Sequence, residues 1–381
     1  MNHIYFDNAA TSPLDARVLD EMVKVMRDDF GNPSSTHTHG RKVRTLIEEA
    51  RKSVAKLLGV TPGEIFFTSG GTEADNMAIR CSVEDLGITH VISSKIEHHA
   101  VLHTLEELAH KGIITLDFVN ILPNGHIDTQ HLETLLQGSS KTLVSLMHAN
   151  NELGNMIDID EVAQLCKKYD ALFHCDTVQT MGHYPLNFGQ TPVDFAACAA
   201  HKFNGPKGIG FIYINHNVKI HPFITGGAQE RNMRGGTENV YGIVGLAKAL
   251  ELACAHFEQE KAHIQDLKNY MISQLKEQIS NVTFNGDAEG RSLYTVLNVR
   301  FPASPFSEMM LFKLDIEGVS CSGGSACSSG SSVGSHVLAA LQVPQETASV
   351  RFSFGKQNTR EEVDFVIGKL AEMFAEVKET V

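Results

Sequence analysis

The sequence predicts an α/β fold: a mostly parallel sheet covered by helices on both faces, followed by a smaller α+β unit. Three observations point there. Short apolar runs of strand length alternate with longer segments whose apolar residues recur at helical spacing, as β–α–β repetition requires. Several of those runs are continuously apolar, as strands buried on both faces are. After a long helical stretch the order changes, and that change marks the second unit.

In chain order, residues 15–30 and 41–58 carry apolar side chains at helical spacing and are predicted helices. Residues 64–68 form a short strand, and Ser69-Gly70-Gly71 turns it into a helix that opens at Thr72. Runs at 90–93, 115–119, 142–147, 172–175 and 193–197 read as buried strands, with helices at 100–110 and 160–169 between some of them. Residues 238–280 are helical. Beyond them come a strand at 294–299, a helix at 307–314, a loop at about 320–335, a strand at 349–353 and a last helix from 361. The loop is almost entirely Ser and Gly around two cysteines, a flexible composition. This divides the chain into a large domain, 13–255, and a small domain made of 1–12 and 256–381.

The 381 residues carry a formal net charge of −13, which argues against a general nucleic-acid or anionic-membrane binder. No apolar run reaches the roughly 18 residues of a membrane span, and the N-terminus lacks the basic and apolar regions of a secretory signal. Seven cysteines without a CxxC pair suit reduced thiols in the cytoplasm and give no support to a structural zinc site. The 19 histidines include no HExxH spacing, so no metal is expected.

Three segments carry chemistry. Lys202 sits between an apolar strand and Phe203-Asn204-Gly205-Pro206. A lysine there is costly to bury unless it is paired or neutralised, and a Schiff base with an aldehyde is one resolution; a surface loop lysine is the ordinary alternative. Asp176 ends a predicted strand, where α/β sheets place ligands. It could stand beside a pyridine nitrogen and keep the ring protonated, or simply cap a helix. Gly70-Gly71-Thr72 runs straight into a helix, whose N-terminus can cradle a phosphate. That loop is neither a Walker A motif nor GxGxxG, which weakens ATP and dinucleotide readings.

The order of these signals is phosphate cradle, then Asp176-Thr177-Val178-Gln179, then Lys202. With it the chain resembles the NifS/IscS-like cysteine desulfurases, in the class-V branch of fold-type I pyridoxal-phosphate (PLP) enzymes. The likeness runs from Tyr5-Phe6-Asp7-Asn8-Ala9-Ala10-Thr11 to Arg351-Phe352-Ser353. Between them lie Gly31-Asn32-Pro33-Ser34-Ser35, Glu97-His98, Asn150-Asn151-Glu152, Arg234-Gly235-Gly236-Thr237 and Gly324-Ser325-Ala326-Cys327.

The resemblance implies a seven-stranded, mostly parallel sheet in the large domain. It implies that Lys202 holds the cofactor and later moves the substrate α-proton. His98 would stack on the ring, Asp176 would pair with the pyridine nitrogen and Gln179 would bond the ring oxygen. Gly71, Thr72 and His201 would hold the phosphate, and Thr237 would reach the phosphate of a second subunit in a homodimer. Asn151, also beside the cofactor, and Arg351 would hold the carboxylate of L-cysteine, a task that suits a guanidinium fork. Cys327 would attack the substrate sulfur, leaving alanine and a persulfide for an iron–sulfur scaffold or another acceptor.

Two departures bear on this. Relatives usually place a hydroxyl residue three positions before the lysine; here it is Ala199, so one phosphate hydrogen bond is missing or supplied otherwise. The chain also stops soon after its last helix, without the longer tail that helps some relatives dock a scaffold. Cys321 is a second thiol in the loop and is read as incidental. The competing functions are another class-V enzyme, such as a selenocysteine lyase or aminotransferase, and a catalytically silent sulfur-carrier subunit. An aminotransferase has no use for Cys327, and a silent subunit has no need of Lys202, His98 and Cys327 together.

Overall fold

The computed structural model describes residues 3–138, 141–323 and 334–379; Cys327 lies outside the described residues. The chain opens with β1 (Ile4–Tyr5), α1 (Ala16–Asp28) and α2 (Thr38–Leu57). The sheet-building region follows: β2 (Ile65–Thr68), α3 (Gly71–Leu86), β3 (His90–Ser93), α4 (His99–His110), β4 (Thr115–Phe118), α5 (Thr129–Leu136), β5 (Thr142–Met147), α6 (Ile159–Lys168), β6 (Leu172–Asp176), β7 (Phe195–Ala199) and β8 (Gly210–Ile214). Asp15, Asp128 and Asp158 start α1, α5 and α6 by accepting first-turn N–H groups, the usual reason an Asp precedes a helix.

Seven of these strands form one sheet in the order β2-β8-β7-β6-β5-β3-β4. Every pair is parallel except those made by β8, which runs antiparallel to both β2 and β7. The sequence reading passed over β8, because Gly208-Ile209-Gly210 looks like continuing loop. Gly210 has a packing reason to be there: a Cβ would stand 2.1 Å from the Cys198 carbonyl oxygen. Strands β5, β7 and β8 are buried on both faces, as their continuous apolar runs require, while the edge strand β4 is half-exposed.

The remaining elements are a short turn α7 (Gln229–Asn232), α8 (Val240–Gln278), β9 (Thr283–Phe284), β10 (Val296–Phe301), α9 (Met310–Ile316), β11 (Val319–Ser320), α10 (His336–Ala340), β12 (Ala348–Ser353) and α11 (Arg360–Glu379). In α7, Glu230, Arg231 and Asn232 all have positive φ, an uncommon state for non-glycine residues. A buried bidentate pair holds it, with both terminal nitrogens of Arg51 on Glu230 at 2.8 Å.

Strand β10 lies between β9 and β12, antiparallel to both, and β1 pairs with β11 in parallel. Two main hydrophobic cores result. One gathers Val54, Phe173, Phe203 and Leu246 under the large sheet. The other gathers Phe6, Leu267, Leu297, Phe352 and Val366, so the N-terminal residues pack with the C-terminal part. Helix α8, 39 residues long, serves both, with Ile243 to Leu250 in the first core and Ile264 to Leu275 in the second. Among the described residues it is the one helix long and apolar enough to cross a membrane. It packs instead against α1, α2 and α11, as a core helix does.

Candidate active site

A cleft enclosing about 780 Å³, its open mouth included, lies where β5, β6 and β7 end at Met147, Asp176 and Ala199. Carboxyl ends of parallel strands are where α/β sheets hold ligands. Nine residues singled out in the sequence line it: Gly71, Thr72, His98, Asn151, Asp176, Gln179, His201, Lys202 and Arg351. Thr237 is exposed and lines a separate pocket with Ser69 and Glu238.

Lys202 ends a one-turn 3₁₀ helix after β7. Its Nζ donates to the carbonyls of Ala9 at 2.6 Å and Ala10 at 2.9 Å, so the N-terminal segment closes over the amine. Gln179 Nε2 donates to the same Ala9 carbonyl at 3.1 Å. His98 is the N-cap of α4, and its Nδ1 accepts the Ala100 N–H at 3.1 Å. That bond fixes the tautomer, leaving Nε2–H as the donor. Burial and the nearby Lys202 charge hold His98 down at about 4, and burial holds His201 at about 4; both rings are neutral near pH 7.

His174 and Asp176 alternate along β6 with Cys175 between them, so both point to one face. Asp176 Oδ1 accepts the Val178 N–H at 2.9 Å. Burial, then the charge of Asp75, raises its carboxyl to about 7. Asp75 also lines the cleft and is raised to about 8 by burial. Its Oδ1 lies 3.3 Å from His174 Nε2, although neither atom has a hydrogen-bond partner among the described residues. Asp75 escaped the sequence reading; its only signal was a place one turn beyond Thr72.

Helix α3 begins with no side-chain cap at Gly70, which leaves first-turn N–H groups for an anion. A Cβ at Gly71 would stand 2.7 Å from Val178 Cγ2, so only glycine lets the helix start come this close to the floor. Across the cleft, Arg351 on β12 is 1% exposed. It donates to the Asn151 carbonyl and to Asp7, each at 2.8 Å.

The class-V aminotransferase family matches residues 4–366. The cysteine desulfurase IscS of Dictyoglomus turgidum is 44% identical over 98% of this chain and 95% of its own. That of Methanosarcina thermophila is 40% identical over 98% and 93%. This chain belongs to the NifS/IscS-like cysteine desulfurases.

Solved relatives agree in shape. A NifS-like protein superposes with a TM-score of 0.90 at 37% identity, covering 98% of this chain and 99% of that one. SspA, solved in complex with cysteine, gives 0.81 at 31%, covering 93% and 100%. The family uses PLP, and the residues of this desulfurase fit that group on two grounds. Asp176 is a desolvated carboxyl that a protonated pyridine nitrogen would ionise. The uncapped start of α3 lies in the same cleft as Lys202 and His201. Ala199 also lines the cleft, buried and without a hydroxyl to offer.

Cys321, at the base of the loop, has its thiol pushed up to about 12, chiefly by burial and then by Asp7. That disfavours the reactive thiolate.

Proposed function

We propose that this cysteine desulfurase holds PLP in the β5–β7 cleft and passes sulfur from L-cysteine to Cys327. The observation that carries the reading is the convergence of Lys202, Asp176 and Arg351, from three separate elements, on one cleft. The chemistry PLP supplies when bound is an electron sink at the substrate α-carbon.

The chain supplies the rest. Lys202 would hold the cofactor and then move the substrate α-proton. Asp176 would pair with the pyridine nitrogen, Gln179 would bond the ring oxygen, and neutral His98, with Nε2–H as its donor, would stack on the ring. The start of α3 at Gly71 and Thr72, with His201, would hold the phosphate. Asn151 and Arg351 hold the amino-acid carboxylate. The thiolate of Cys327 attacks the substrate sulfur; a sulfur–sulfur bond forms, the carbon–sulfur bond breaks, and its electron pair leaves with the carbon skeleton, which is protonated to alanine. The persulfide then passes to an iron–sulfur scaffold or another thiol acceptor in the cytoplasm.

We further propose a homodimer in which Thr237 serves the second subunit's phosphate site. The exposed face of α1 supports it: Leu19, Val23 and Met26, with Phe30 just beyond, recur at helical spacing and are 46–78% exposed. Such a stripe is what a second copy would cover. The large domain, 13–255, would hold the cofactor, and the small domain, 1–12 and 256–381, would bring Arg351 and Cys327 to it.

The test is to give purified, cofactor-loaded protein L-cysteine with a reductant and measure sulfide and alanine together. Equal amounts are expected. Amino transfer to a 2-oxo acid without sulfide would point to an aminotransferase, and turnover of selenocysteine alone to a lyase of that substrate.

A further inference from the structure

Arg351 belongs to a closed triangle of contacts. Its Nη2 donates to Asp7 Oδ1 at 2.8 Å, and the same oxygen accepts the Ser322 hydroxyl at 2.9 Å. Ser322 and Arg351 are also tied by backbone: Arg351 N–H donates to the Ser322 carbonyl at 2.6 Å, and Ser322 N–H to the Arg351 carbonyl at 3.2 Å. Asp7 is fixed in turn by a parallel bridge to Ser353. Ser322 stands five residues before Cys327 in the sequence.

The physics of this triangle is specific. A guanidinium buried this deeply is costly without a counterion, and Asp7 is the carboxylate that pairs with it. The guanidinium is not fully paired by Asp7 and Asn151, since its buried Nε has no hydrogen-bond partner among the described residues. A ligand carboxylate on the guanidinium weakens the pull of its charge on Asp7. The oxygen that feels this change is the one Ser322 is bonded to.

We infer that Asp7 is a positioning residue for sulfur transfer: one carboxylate oxygen orients Arg351 and, through Ser322, anchors the start of the segment carrying Cys327. Occupation of Arg351 by a carboxylate is thereby coupled to that anchor. This rests on the reading that Arg351 holds the substrate carboxylate.

The experiment uses cofactor-loaded enzyme and two readouts. One is L-alanine affinity, read from cofactor absorbance. The other is the first-turnover rate at which sulfur appears on Cys327 at saturating L-cysteine, read by mass spectrometry. Ser322→Ala should leave alanine affinity within about twofold and slow sulfur arrival roughly three- to tenfold. Asp7→Asn should change both, and adding Ser322→Ala to it should slow transfer no further, as partners in one network behave. Wild-type transfer in Ser322→Ala, or effects of the two substitutions that multiply independently, overturns the coupling; if Asp7→Asn does not fold, Ser322→Ala alone decides. Arg351→Ala separates the two claims. If it binds L-alanine as wild type does, the reading of Arg351 fails and the coupling with it. If it loses binding while Ser322→Ala transfers normally, only the coupling fails.

Discussion

The two sides of the cleft are built on opposite plans. The floor is made of strand ends and helix starts: Asp176 closes β6, Lys202 follows β7, and α3 begins at Gly71. These groups are fixed by backbone that is buried on both faces. The opposite wall is made of short pieces: β1, β11 and the end of β12 meet around Arg351, Asp7 and Ser322. From there the chain enters a Ser/Gly-rich segment that carries Cys327. The difference teaches what each half must do. A cofactor's charge distribution has to be met by groups that do not move. A sulfur relay has to serve the substrate and then an acceptor, and the Ser/Gly composition around Cys327 is of the kind that gives a chain reach.

The sharpest break of the floor is Lys202→Ala. It should abolish covalent cofactor retention and cut desulfuration by at least about 10³-fold, measured as alanine formed per protein. The same variant should leave Cys327 as reactive toward a thiol reagent as before, because the lysine belongs to the other half. Asp176→Asn comes next. On the proposed pairing with the pyridine nitrogen it removes that charge, and it should cost roughly 10²–10³-fold in turnover, with a shift in the cofactor's visible spectrum.

A smaller effect separates the floor from the wall by pH. Asp176 and Asp75 are raised to about 7 and about 8. The folded protein therefore keeps protons that the unfolded chain has released, and their contribution to stability is lost as pH rises through those values. His174 and His148, held near 4 by burial, act the other way: their contribution is present above about 6.5 and lost as pH falls toward 4. Above pH 6.5 the raised carboxyls set the slope, opposed near pH 8 by Lys268, whose ammonium is held down at about 8 by burial. Cofactor-free protein should thus melt at lower temperature as pH rises from 6.5 to 8.5, by up to roughly 1.4 kcal/mol per pH unit per carboxyl. Loading PLP should flatten that slope, since Asp176 is then ionised against a cation. A slope unchanged by loading would contradict the pairing. The smallest expected effect is Ala199→Ser, which returns one hydroxyl to the phosphate end. It should tighten PLP roughly two- to tenfold, read by cofactor titration, and leave alanine affinity unchanged.

The floor was legible in the sequence because its chemistry sits where local rules point. A strand end that carries Asp, a glycine turn into a helix and a lysine beside a Gly/Pro loop are each visible within ten residues. The wall was legible only through family resemblance, since Arg351 alone on a late strand announces nothing. Asp7 stood within a recognised motif, yet its role depends on contacts more than 300 residues away in the chain, which no local pattern encodes. Asp75 was hidden for a similar reason, since its burial comes from a strand laid against its helix. Strand β8 was missed because glycines required for close packing look like loop. Thr237 does not reach the cleft of its own chain, so its assigned role stands or falls with the dimer.

The central claim is that sulfur leaves L-cysteine by way of Cys327. The most direct measurement mixes cofactor-loaded enzyme with one equivalent of L-cysteine, without reductant, and maps the added sulfur by peptide mass spectrometry in the wild type and in Cys327→Ala. One sulfur on Cys327 with one alanine released is predicted, and no alanine from the substituted protein, which should remain yellow. Alanine formed at the wild-type rate by Cys327→Ala, or sulfur found on Cys321 instead, would contradict it.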